Sequence, residues 1–124
     1  MSALETLEEH QRVCDALYEL ILEENRFLQK QKRPPGEDLL ARKRQIRDRL
    51  DQTLKALKAA PKADTRTPPW RTALDRARTR ILQILQLDKE NEQLLLRHSL
   101  SSRIDFNPGP SASASMLGRI YART

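Results

Sequence analysis

Aromatic side chains make up only 4% of this 124-residue chain, and there are three glycines. So few rings and tight-turn residues argue against a compact globule with a thick core and in favour of elongated helices. A single cysteine, Cys14, excludes a disulfide within the chain and points to a reducing compartment. The first residues show no signal-like apolar stretch. No apolar run approaches the roughly 20 residues needed to cross a bilayer, so the expected location is the cytoplasm, without membrane insertion. The two histidines, His10 and His98, stand far apart with no cysteine or second histidine placed to complete a metal set. There is no glycine-rich phosphate loop, and Cys14 reads as a packed thiol. These absences predict a chain that is not an enzyme and carries neither metal nor cofactor.

Charge is abundant instead: 32% of residues are charged and the net charge is +6. Residues 1–33 hold seven acidic and five basic side chains, whereas residues 34–60 hold four acidic and seven basic ones. The densest basic cluster is Arg42-Lys43-Arg44 with Arg47 and Arg49, interleaved with Asp48 and Asp51. On a helix it would point in several directions, and no recognition motif accompanies it. Nucleic-acid binding through it would be weak and salt-sensitive.

The composition is that of long helices, and three are predicted. Ser2-Ala3-Leu4-Glu5 is a capping-box pattern that opens a helix to about Lys32. In it Leu7, Cys14, Ile21 and Leu28 recur every seven residues, flanked by Val13, Leu17, Leu20 and Phe27. Pro34-Pro35-Gly36 ends it. A second helix, about Glu37 to Ala59, has Leu39, Ile46, Leu50, Leu54 and Leu57 on one side. Ala60 to Thr67 is polar and aperiodic and reads as a mobile loop. Thr67 then caps a third helix from Pro68 to about Ser99, with Trp70, Leu74, Ala77, Ile81, Ile84 and Leu95 facing inward. The fold class is therefore all-α: an elongated antiparallel three-helix bundle, or a coiled-coil hairpin, over residues 1–100. Residues 101–124 read as a flexible tail with a short amphipathic segment.

Two glutamate–asparagine pairs interrupt the apolar pattern, Glu24-Asn25 in the first helix and Glu90-Asn91 in the third. Asn25 lies four residues after Ile21 and three before Leu28; Asn91 lies seven after Ile84 and four before Leu95. Each asparagine is thus on its helix's apolar stripe. Counted from the caps Ser2 and Thr67, the two sit at similar heights. Such residues either fix helix register or offer hydrogen bonds in an open groove to a partner helix.

A long first helix, a charged second helix, and a third ending in Glu90-Asn91-Glu92-Gln93-Leu94-Leu95 resemble the FlgN-type flagellar export chaperones. The family often finishes with a tyrosine closely followed by glycine, whereas here Gly118-Arg119-Ile120-Tyr121 leads into Ala122-Arg123-Thr124. The resemblance implies a cytoplasmic chaperone that holds hook–filament junction proteins before type III export. The expected client-binding residues are Asn91 as polar guide and Leu94, Leu95, Leu100, Ile104 and Phe106 as apolar anchors. Met116, Leu117, Ile120 and Tyr121 in the tail either dock on the bundle or order with a partner. The alternatives are a self-associating structural coiled-coil protein, in its mildest form a weak homodimer, and a weak basic nucleic-acid binder.

Overall fold

The computed structural model describes residues 2–31 and 33–106, with side chains described as far as Leu100. It contains α1 (Ala3–Gln31), α2 (Glu37–Lys58) and α3 (Pro68–Phe106), with a short 3-10 turn at Asp64–Arg66. The described residues contain no strand, and the fold is an all-α bundle. At about 1.5 Å per residue the helices measure about 44, 33 and 58 Å.

The boundaries follow from local chemistry. Ser2 Oγ accepts a hydrogen bond from the Glu5 N–H at 3.1 Å, satisfying one free donor of the first turn of α1. Gly36 precedes α2 in an extended conformation without a side-chain cap. Glu37 and Asp38 in the first turn of α2 offset this, because negative charge is favoured at a helix N-terminus. Thr67 Oγ1 accepts from the Trp70 N–H at 3.4 Å, and Pro68 occupies the first helical position, where no donor is needed. The loop expected to be mobile holds the 3-10 turn, in which Thr65 Oγ1 donates to the Lys62 carbonyl at 2.6 Å. α3 continues beyond the predicted end near Ser99 to Phe106, since neither proline nor glycine occurs between Pro69 and Pro108 to stop it.

α1 and α3 run parallel. Ala3 and Leu7 cluster with Trp70 and Ala77 at one end, and Cys14, Leu17 and Ile21 cluster with Ile84 further along. Side-chain bonds between these helices join residues 65 to 70 apart in sequence along the whole contact. α2 returns antiparallel to α1, with Thr53 against His10 and Lys43 against Glu24. The topology is up-down-up, and α1 is the common partner. No Cα atoms of α2 and α3 approach within 8 Å.

This arrangement explains the uneven burial. α1 buries side chains on two flanks, among them every member of the seven-residue repeat Leu7, Cys14, Ile21 and Leu28. α2 buries only Leu39 and Lys43. Ile46, Leu50 and Leu57 are half-buried against the core clusters, and Leu54, expected to face inward, is 38% exposed. Ion pairs also span the contact. The acidic excess of α1 meets the basic excess of α2 through Glu23 with Arg42, Glu24 with Lys43, and Glu9 with Arg49. The first and last of these are exposed, and such pairs contribute only about 0–1 kcal/mol each.

Candidate functional site

The asparagines on the apolar stripes meet inside the bundle. Asn25 Nδ2 donates to Asn91 Oδ1 at 2.8 Å. Asn91 Nδ2 donates to the Ile21 carbonyl and to Glu24 Oε1, each at 3.0 Å. Gln29 Nε2 donates to Asn25 Oδ1 at 2.9 Å. Lys43 Nζ donates to Glu24 Oε1 and Asp88 Oδ1, each at 3.2 Å, so one ammonium joins all three helices. Lys43 and Glu24 have side chains only 3% and 1% exposed, and Asn91 is fully buried. Buried polar groups of this kind must be mutually satisfied or they destabilise the fold. The seam ties the helices together in one register.

The residues expected at a client site fall in different settings. Asn91 is buried, with its amide oxygen and nitrogen bonded to α1. Leu95 is 3% exposed and packs inward. Leu94 is half-buried beside a shallow hollow lined by Gln29, Glu90, Gln93 and Arg97, a polar depression and not an apolar groove. Leu100 is 54% exposed, as an anchor must be. Ile104 and Phe106 lie on the helical backbone of α3. Met116, Leu117, Ile120 and Tyr121 lie outside the described residues.

The exposed apolar surface lies elsewhere on α3. Leu82, Leu85, Leu96 and Leu100 are 67%, 60%, 36% and 54% exposed. At 3.6 residues per turn they share a sector about 60° wide, roughly a third of a turn from the line of Trp70, Ala77, Ile84 and Leu95 that packs on α1. α3 therefore carries two apolar lines, one covered and one open. The periodicity of leucines in the sequence does not separate the two lines; the spacing from Ile84 and Leu95 does.

Both histidines and the cysteine are held by hydrogen bonds within the bundle. Thr53 Oγ1 donates to the Leu50 carbonyl at 2.9 Å and therefore accepts from His10 Nδ1 at 2.8 Å. His10 Nε2 is then free to accept from Cys14 Sγ at 3.5 Å. Cys14 thus has a basic neighbour that its apolar setting did not suggest, but the thiol is not activated. Burial, helped by the negative charge of Asp15, pushes it up to about 11, and burial lowers the pKa of His10 below its usual value of 6.5. The pair is a neutral imidazole and a neutral thiol. His98 Nε2 bonds the Leu28 carbonyl at 3.0 Å. Among the described residues no group of three or more His, Cys, Asp or Glu could hold a metal ion, and no helix is long and apolar enough to cross a membrane.

The basic cluster of α2 is also largely engaged. Arg42 pairs with Glu23 and Asp38, Lys43 with Glu24 and Asp88, Arg47 with Asp88, and Arg49 with Glu9. No family model, curated protein or solved structure matches the chain.

Proposed function

We propose that this chain is a helical protein-binding module of the export-chaperone kind, which takes an amphipathic helix of a client protein on the outer face of α3. The observation that carries the reading is the open line of Leu82, Leu85, Leu96 and Leu100 on a helix whose other apolar line is already packed. Exposed leucines at helical spacing are anchors for a helix-in-groove contact, here as two pairs, Leu82 with Leu85 and Leu96 with Leu100, separated by the exposed Lys89 and Glu92. The resemblance of the layout to FlgN-type chaperones supplies the client class: terminal segments of flagellar hook–filament junction proteins, held in the cytoplasm before type III export. A nucleic-acid role has little support, because the densest basic cluster serves to hold α2 on the acidic side of α1.

The test is calorimetric titration of the full chain with the terminal helical segment of a hook–filament junction protein. Saturable binding is expected, weakened at least about tenfold, or about 1.4 kcal/mol, in a Leu96→Asp/Leu100→Asp variant of unchanged helicity. Absence of binding to the unaltered chain, or equal binding by the variant, contradicts the reading.

A further inference from the structure

We propose that, when no client is bound, the outer face of α3 is covered by a second copy of this chain, the two α3 helices lying antiparallel about a twofold axis at Glu90 and Asn91. The inference rests on the same exposed face as the client reading and names its resting occupant.

The order of residues along the face is the ground for it. Leu82, Leu85, Lys89, Glu92, Leu96 and Leu100 follow one another in steps of three or four, the spacing of a coiled-coil seam. Lys89 and Glu92 are both exposed, and neither forms a salt bridge with another described residue. The sequence of chemical types is two leucines, a cation, an anion, two leucines. Reversed about a point between Glu90 and Asn91, Leu85 falls opposite Leu96, Lys89 opposite Glu92, and Leu82 beside Leu100. A twofold axis makes each contact twice, so the seam closes with two central ion pairs flanked by leucines, and the same patch serves both copies.

A parallel arrangement in register would set Lys89 against Lys89 and Glu92 against Glu92, and like charges facing each other select against it. The apolar line from Leu82 to Leu100 spans only about 27 Å. A contact this short belongs to the small, transient class of interfaces, so the dimer is concentration-dependent and a client helix displaces it from the same leucines.

Sedimentation equilibrium of the full chain over a range of concentrations tests this, with circular dichroism confirming that each variant stays helical. The unaltered chain is expected to dimerise. Lys89→Glu, which sets two glutamates against each other, should weaken the dimer about tenfold. Lys89→Glu/Glu92→Lys should restore it, because between two copies the antiparallel register sets those positions opposite each other and the parallel one does not. A chain that remains monomeric up to about 1 mM overturns the proposal, as does a double variant no tighter than the single one. Titrating each form with the client segment separates the two readings. Client binding by a strictly monomeric chain sinks only the dimer, and a charge-swappable dimer that ignores the client sinks only the client reading.

Discussion

Asn25 and Asn91 stand 66 residues apart in sequence and share a hydrogen bond of 2.8 Å in the interior. Each amide is the other's partner, and both sit where a leucine would pack. A shift of α3 along α1 by one turn would leave Asn91 facing apolar side chains and strip Glu24 and the Ile21 carbonyl of a donor. The pair therefore favours the observed register, the one in which both amides, Glu24 Oε1 and the Ile21 carbonyl share bonds, while Glu24 Oε2 stays buried without a partner.

Asn91→Leu should lower unfolding stability by at least about 2 kcal/mol, since it leaves Asn25, Glu24 and the Ile21 carbonyl each short of a buried partner. Asn25→Leu/Asn91→Leu should cost less than the sum of its two single changes. Urea denaturation of the three variants measures this coupling, and strict additivity would show that the amides act independently.

Lys43→Met removes the cation held between Glu24 and Asp88 and should cost about 3–5 kcal/mol, the usual penalty for leaving a buried charge unpaired. Adding Glu24→Gln to Lys43→Met should recover part of that loss, because the neutral amide can still accept from Asn91. A Lys43→Met protein as stable as the original would contradict the burial assigned to this ion pair.

The pH dependence follows from His10. Its folded-state pKa lies below the ordinary 6.5 because burial disfavours the charged ring. The unfolded chain thus binds a proton more readily than the folded one. The stabilising effect of neutral His10 is complete above about pH 6.5 and is lost as pH falls from there through the lowered folded value. Thermal midpoints measured from pH 7.5 down to pH 5 should fall in this window, and His10→Gln should flatten the decline. An unchanged slope in His10→Gln would assign the effect to other groups.

Cys14 should resist alkylation in the native protein at pH 8, since a thiol pushed up to about 11 carries almost no thiolate there. Reaction should appear on unfolding in urea. Fast labelling of the native chain would mean that the core around Cys14, Leu17 and Ile84 opens readily.

Much of the fold was legible because the strongest signals are local. The repeat of Leu7, Cys14, Ile21 and Leu28 marks the buried line of α1, Pro34-Pro35-Gly36 marks its end, and the caps Ser2 and Thr67 set the comparable heights of Asn25 and Asn91. What the sequence hid depends on distant partners. Lys43 reads as surface charge, yet it lies four residues after Leu39 on the same flank and meets acids 19 and 45 residues away. Leu54 continues the apolar spacing of α2 but is exposed, because α2 lies against α1 without backbone approach to α3. Leu82 and Leu85 fall outside the inward set expected for the third helix, but nothing local in the sequence joins them to Leu96 and Leu100; that line is visible only once α3 is seen to pack on α1 through Trp70, Ala77, Ile84 and Leu95.

The most direct test of the account is methyl NMR of the leucine and isoleucine side chains during titration with the client segment. Binding on the outer face of α3 predicts that the methyls of Leu82, Leu85, Leu96 and Leu100 shift together, while those of the inward-facing Ile84 and Leu95 stay within the range of the rest of the core. Shifts centred on Ile84 and Leu95, with the four exposed leucines unchanged, would contradict it.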